Sequence, residues 1–565
     1  MLRRILALLG VGLAAIVIAG YFALRTPPPP HSSAYLNGTV LTMNAAGTVA
    51  QALYVEGDRI VAVGTKAEIE KHMVAETEVH DLHGGSVLPG FIDAHGHFPG
   101  TSLELFAVPL HSAPVGDIQS IPPALARLKQ KAAETDAGEW VIALGWDDTL
   151  VDEKRNLTRD DLDKVSTDHP VLVLHVSGHM GMVNSRGLSV IGIDANTPDP
   201  VGGVIQRDKS GRANGVLEER ARMAAFDLAF DLGLEEFLAM LDHGGKQYAA
   251  VGVTTAQSGL SVETTVRAMS VASWLGLLPI RLMVWPDEKM GLEMARGERS
   301  RDTWHRSELD IGAIKLIADG SIQGFTGYLS EPYHTPHNGD PNYRGYPTIP
   351  RKRLIELVTE LHGAGFQIAI HGNGDASIDD ILDAFAAAQK ASPRDDTRHI
   401  IVHAQMTRAD QLRRMKRLGV TPSFFVAHTY YWGDRHRDIF MGPERAARMS
   451  PAASAKKLGV PFTIHLDAPV VPMDPLFLVW TAVTRTSTSG KVIGEAERIS
   501  IMDAFRAITI DAAWQIHQEK NRGSLEVGKY ADLVVLNRDP RGSPKALRKL
   551  KVERTVVGGL TVFQR

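Results

Sequence analysis

The chain has 565 residues, 44% of them hydrophobic and 22% charged, with no cysteine. That length suggests about two to four domains, and the composition excludes a disordered chain or a multi-span membrane protein. With 61 Lys and Arg against 65 Asp and Glu the net charge is −4, so nothing points to nucleic acid as a partner, and without thiols any metal must be held by His, Asp, Glu or Lys.

In chain order, Arg3 and Arg4 precede an uncharged apolar stretch, residues 5–24, closed by Arg25 and the Pro27–Pro30 run. Twenty apolar residues just span a bilayer as a helix. The preceding arginines would stay cytoplasmic, so the rest would be exported to the periplasm. No clear cleavage site follows, which favours a retained transmembrane anchor in the bacterial inner membrane over a cleaved signal segment, with residues 1–30 forming anchor and stiff spacer.

Residues 34–90 read as short strands with a reversal at Glu56, Gly57 and Asp58, and the far C-terminus, 531–539 and 552–564, reads the same way. Each end is too small to bury a core alone, so both are expected to form one small β-sandwich from 31–86 and 523–565. Between them, over 87–522, lie eight apolar runs rich in β-branched residues at 87–97, 251–259, 279–285, 311–320, 366–374, 399–405, 420–428 and 461–469. Their alternation with helical stretches predicts an α/β fold, a (β/α)8 TIM barrel. An open doubly wound sheet is the competing fold, but no dinucleotide fingerprint accompanies it. The gap between the first two runs, about 100–245, is too long for an ordinary connection and predicts an inserted subdomain over the barrel mouth.

Polar residues interrupt these runs near their C-terminal ends: His95 and His97, Lys315, His371, His403 and Asp467. In a strand, residues i and i+2 face one side, so His95 and His97 aim at one spot. Any one of these residues alone has an ordinary reading: a hydrogen-bonded His, a salt-bridged or Schiff-base Lys, an Asp capping a turn. Together, in one apolar barrel, they are costly to bury unless they bind a cation, so the set predicts a shared metal site. An ammonium does not bind metal, and Lys315 is therefore either deprotonated or carboxylated to a carbamate bridging two ions.

The order His-x-His, Lys, His, His, Asp between the two halves of a sandwich resembles the amidohydrolase superfamily in its binuclear form. PGFIDAHGHF (89–98), SGHMGMVNSRGL (177–188), GGVIQRDKSGRANGVLEE (202–219), IKLIADGSIQGFTGYL (314–329), IHGNGD (370–375), HAQM (403–406), LDAPV (466–470) and GSLEVGKYADLVVL (523–536) are similar to amidohydrolase family 3, which includes N-substituted formamide deformylases. The similarity runs from about residue 34 to the end. It implies that His95, His97 and Asp467 hold one metal, that carbamylated Lys315 bridges, and that His371 and His403 hold the second. Two divalent ions are implied, with Zn²⁺ suiting the donors and Mn²⁺, Fe²⁺ or Co²⁺ as substitutes. A water bridging them would ionise to hydroxide near neutral pH, with Asp467, beside His403, moving its proton. His465 and Leu466 stand where relatives often have smaller residues.

Away from the metals, His179 either polarises the substrate carbonyl or is structural, Trp146 and Asp147 line the pocket or pack, and Asp319 holds substrate or shapes a turn. Residues 424–438 set specificity or form a lid surface. The expected activity is hydrolysis of a C–N bond in a small-molecule amide or N-acyl or N-formyl amine. The same site serves a cyclic amide, ester or phosphoester, and a catalytically silent scaffold is the non-enzyme alternative. The resemblance also implies a homodimer.

Overall fold

Both chain ends contribute to paired β-structure in the computed structural model, which describes residues 29–306 and 308–565. One sheet runs Arg59–Gly64, Ala52–Glu56, Ser32–Leu36, Glu78–Asp81, and a second runs Leu560–Gln564, Val552–Val557, Leu533–Leu536, Ser86–Pro89, Thr39–Leu41, Val49–Ala50. Tyr35, Val40, Leu53, Ile60, Val87, Leu533 and Val556 are buried together as one apolar cluster. The reversal expected at residues 56–58 is a tight hairpin with Glu56 opposite Arg59, and Gly57 takes the φ of 54° that such a turn requires.

The 87–97 run divides between two sheets. Ser86–Pro89 pairs antiparallel with Leu533–Leu536, whereas Phe91–Ile92 pairs parallel with Val253–Ser261. The change of partner falls at Gly90, where a Cβ would lie 2.2 Å from the Thr254 side chain. Parallel strands then continue as Phe91–Ile92, Val253–Ser261, Arg281–Pro286 and Leu309–Ile311 in one sheet, and Ile314–Ile317, Ile368–Gly372, Ile400–His403, Thr421–Phe424 and Thr463–Ile464 in another. Continuous apolar runs are what parallel strands covered on both faces require.

The run at 311–320, expected as one strand, is broken. The Gly312 amide bonds Val284 O at 2.8 Å while the Ile314 amide bonds Gln367 O at 2.9 Å, so the chain passes from one sheet to the next within two residues. At the opposite edges the Asp467 amide bonds His95 O at 3.0 Å. The two parallel sheets are thus joined at both ends. Helices such as Arg351–Gly363, Asp375–Ala391, Ala409–Leu418 and Ala452–Leu458 alternate with the strands, and the last two end at Gly419 and Gly459 in left-handed conformation.

The stretch after His97 carries its own six-stranded sheet, in the order Gly203–Arg207, Ala213–Glu219, Met180–Val183, Val171–His175, Val141–Trp146, Val108–Pro109. Leu110, Ile121, Leu128, Val141, Val171 and Met182 form a core beneath it.

The expectation of a transmembrane anchor, and with it inner-membrane tethering and periplasmic placement, is corrected. Among the described residues no helix is long and apolar enough to cross a membrane. The longest, Leu234–Ala250 and Asp375–Ala391, have 17 residues each, about 25 Å of rise against a hydrocarbon core of about 30 Å. Residues 1–28, which include the apolar stretch, lie outside the described residues.

Candidate metal centre

Several of the parallel strands carry an expected polar residue within them or just beyond their C-terminal ends. Lys315 lies within Ile314–Ile317, His371 within Ile368–Gly372 and His403 ends Ile400–His403, while Asp467 stands three residues beyond Thr463–Ile464. His95 follows Phe91–Ile92 in a bend and His97 forms an isolated antiparallel bridge with Ser258, so the two do not share one strand, which departs from the same-face argument. They converge all the same, with Nε2 of His95 3.6 Å and of His97 3.5 Å from Asp467 Oδ1. The His97 ring is turned by Nδ1 on Gly259 O at 3.0 Å. A Cβ at Gly259 would lie 2.5 Å from His95 Cε1, so only glycine leaves room for that ring.

His403 and Asp467 both adopt left-handed backbone, with φ of 67° and 53°. Such strain in residues other than glycine persists where surrounding structure imposes it, and it aims both side chains at one point. Asp467 Oδ2 is 4.0 Å from His403 Nδ1, Lys315 Nζ is 3.2 Å from His95 Nε2, and the His371 and His403 rings cross edge to face at 4.6 Å.

Electrostatics follow from burial. His95, Lys315, His371, His403 and Asp467 are all buried. Burial pushes His95, His371 and His403 well below the usual imidazole range, so all three are neutral. It lowers Lys315 to about 7, so a free amine is accessible near neutral pH. Burial raises Asp467, but the adjacent His97 outweighs it and holds the carboxylate ionised. His95 Nδ1, His371 Nδ1 and Asp467 Oδ1 are buried without a hydrogen-bond partner, a costly arrangement for polar atoms. The donor atoms of His95, His97 and Asp467 lie within 4.8 Å of one another, as do those of His403, His465 and Asp467. Neutral imidazoles and a hard carboxylate with an unpartnered oxygen, Asp467 Oδ1, fit a divalent cation.

The remaining expected residues separate. His179 reaches this centre from the inserted stretch: its ring is 4.8 Å from that of His371, and its Nδ1 meets Glu219 Oε2 at 2.8 Å. Trp146, read as lining the pocket or packing, is fully buried in the apolar cluster of the inserted sheet. Asp319 has the geometry of the turn-shaping alternative. It is fully buried, and its oxygens accept the amides of Tyr328, Asn373 and Gly374 at 2.8–3.0 Å with His371 Nδ1 at 3.3 Å, so it braces the loop behind His371. Asp147 pairs with Arg435 at 2.6 Å, tying the inserted stretch to residues 424–438.

Two residues escaped sequence reasoning as site members. Glu219 holds His179 from an unusual backbone at φ 48° and ψ −119°. No local signal marks it beyond the Glu pair that ends the 202–219 motif. His465 was read only as bulk, yet its Nε2 lies 3.2 Å from His403 Nδ1; its alternation with Asp467 across a strand end was the available signal.

The amidohydrolase family model matches residues 78–563. An N-substituted formamide deformylase of Arthrobacter pascens is 29% identical over 541 residues, covering 94% of this chain and 98% of that protein. Among solved structures, an uncharacterized metal-dependent hydrolase of Pyrococcus horikoshii has a TM-score of 0.72 at 25% identity, covering 91% of this chain and 99% of that one. A second, from Pyrococcus furiosus, has a TM-score of 0.70 at 24% identity, with 90% and 100% covered, and shares the fold. Family and neighbours support a metal-dependent hydrolase with His and Asp groups able to hold the metal.

Proposed function

The chain belongs to the amidohydrolase family, and from that premise we propose that it hydrolyses a carbon–nitrogen bond, in an amide or an N-acyl or N-formyl amine, at a centre held by His95, His97, Lys315, His371, His403 and Asp467. The observation that carries the reading is the convergence of the His95 and His97 Nε2 atoms on the buried, ionised and otherwise unpartnered Asp467 Oδ1, with His403 facing Oδ2, beside a lysine whose amine is freed by burial. The C–N specificity is supported by the relative named a formamide deformylase, similar over nearly its whole length.

We read the two joined parallel sheets as one (β/α)8 barrel, the ends of the chain as its sandwich and the inserted sheet as a cover over the mouth. His95, His97 and Asp467 would hold one divalent ion, His371 and His403 a second, with Lys315 joining them as a carbamate; zinc suits these donors. Bound there, the ions supply Lewis acidity toward a carbonyl oxygen and lower the pKa of water.

The chain's own residues do the rest. A neutral Lys315 amine is the form that adds CO2. Asp467 Oδ1, buried between His95 and His97, accepts the attacking water's proton and returns it to the leaving nitrogen. His179 Nδ1 donates to Glu219, so it is as an imidazolium, with a proton on both nitrogens, that His179 would offer Nε2–H to the substrate carbonyl. Asp319 and its three amides hold the His371 loop.

The test pairs metal content by plasma mass spectrometry, for the full chain and Lys315→Ala, with a screen of N-formyl and N-acyl amines beside matched esters. About two ions per chain, fewer in the variant, with turnover on the amines, is the expected result. A metal-loaded chain that cleaves only the esters would overturn the C–N assignment.

A further inference from the structure

A buried polar chain runs behind His403. His403 Nδ1 lies 3.2 Å from His465 Nε2, and His465 Nδ1 lies 2.9 Å from Ser423 Oγ. Ser423 Oγ is 2.8 Å from Thr463 Oγ1, which is 2.5 Å from Gln515 Oε1, and Gln515 Nε2 donates to Ala94 O at 2.8 Å. His465, Ser423, Thr463 and Gln515 are fully buried. The path starts on the residue before His95, crosses to the Ile510–Gln515 helix and returns through the last two parallel strands to His403.

Its two ends differ in chemical freedom. A backbone carbonyl only accepts, so Gln515 must present its amide hydrogens to Ala94 and its oxygen to Thr463. Thr463 Oγ1 has donor geometry toward both Ser423 Oγ and Gln515 Oε1 but carries a single hydrogen; the Gln515 oxygen only accepts, so that hydrogen goes to Gln515 at the shorter contact and the Ser423 hydroxyl turns to donate to Thr463. Ser423 then has no hydrogen for His465 and must accept from His465 Nδ1–H. A neutral imidazole carries one donor and one acceptor, so His465 Nε2 is a lone pair and accepts from His403 Nδ1–H. The lone pair of His403 is left on Nε2. Each link follows from the one before as long as every contact in the chain holds one hydrogen, the Thr463–Gln515 contact included.

We propose that His465 is a positioning residue that locks His403 in the Nδ1–H tautomer through a one-way hydrogen-bond chain anchored on the Ala94 carbonyl, leaving His403 Nε2 to bind the second metal. The proposal rests on the metal-centre reading above, but its first readout needs neither metal nor substrate. Partners that fix a ligating imidazole's tautomer affect metal affinity by about 10- to 100-fold. Here the bulk at position 465 is the connection itself.

The test uses the full chain with 15N-labelled histidine, before and after zinc is added, with His403 and His465 assigned by single replacement. The wild-type His403 ring is expected to show a protonated Nδ1 and a bare Nε2 without metal, and its Nε2 signal is expected to move on zinc addition. Thr463→Val keeps the shape but removes the hydroxyl. It is expected to mix the His403 tautomers and weaken zinc binding about 10- to 100-fold, and Thr463→Ser restores both. A proton on His403 Nε2 in the wild type overturns the proposal, as does a Thr463→Val chain with unchanged His403 signals. An ion lost in His465→Ala but not in Thr463→Val would make His465 a ligand itself, which also overturns it. Failure of the amine screen with these tautomers intact would instead remove the proposed reaction alone.

Discussion

Asp467 meets imidazoles on both carboxylate oxygens, with His95 and His97 on Oδ1 and His403 facing Oδ2. Asp467→Asn preserves its shape and one acceptor oxygen but cannot hold a proton. Turnover is expected to fall about 10²- to 10⁴-fold with metal content largely kept, which steady-state rates beside mass spectrometry would show; unchanged turnover would remove Asp467 from proton transfer. Glu219 offers a second test at this scale. Glu219→Gln keeps an acceptor for His179 but removes the charge that orients it, so kcat on the amine substrate is expected to drop about 10²-fold with metal retained. A loss of metal instead would make Glu219 a brace for His371. His95, His371, His403, Lys315 and Asp467 were legible because each interrupts an apolar run at its C-terminal end. Trp146 and Asp319 were left with two readings each because an aromatic after a strand, or an Asp in the turn after one, looks the same whether it faces ligand or core. Only the three-dimensional partners, an apolar cluster for one and three amides for the other, distinguish them.

Elements were easier to read than their partners. The apolar runs correspond to the parallel strands, yet two assignments were settled by contacts distant in sequence: Ser86–Pro89 pairs with the C-terminal Leu533–Leu536, and the 311–320 run divides beside Gly312. A run of Val, Leu and Ile fixes burial on both faces but names no neighbour. Asn184 shows the same limit. It shares the 177–188 motif with His179, but the residue is fully buried as the cap of the Ser185–Val190 helix. Its Oδ1 accepts the Val171 and Gly187 amides at 3.0 and 2.8 Å, and its Nδ2 donates to Ser166 and His169 carbonyls at 2.8 and 2.9 Å. Asn184→Ala strands those partners in an apolar interior, and each unsatisfied group costs about 1–3 kcal/mol. Urea unfolding is expected to show at least about 3 kcal/mol lost; a change within about 0.5 kcal/mol would mean that water replaces the side chain.

Across the whole molecule, the two-ended β-structure is tied to the parallel sheets by charge as well as by pairing. Arg281, on the Arg281–Pro286 strand, donates to Asp532 from Nε at 2.9 Å and from Nη2 at 3.2 Å, and to Glu308 from Nη1 at 2.6 Å. Its guanidinium also lies 4.3 Å from the Tyr530 ring, which Arg59 covers at 3.7 Å. Asp532 in turn accepts the Gly558 amide at 2.7 Å. Both Arg281 and Asp532 are buried, so neither charge has water to fall back on. The pair's net worth over an apolar pair is small, because desolvation offsets most of the attraction, but breaking it from the Asp532 side leaves a buried guanidinium with Glu308 as its one remaining carboxylate partner. Asp532→Ala is therefore expected to cost about 3–5 kcal/mol, and Arg281→Met combined with Asp532→Leu to recover most of that loss. Denaturant unfolding followed by tryptophan fluorescence, with Trp285 on the same strand as Arg281, reports on this joint. A double variant no more stable than Asp532→Ala would show that the guanidinium is needed for its stacking on Tyr530 rather than for its charge.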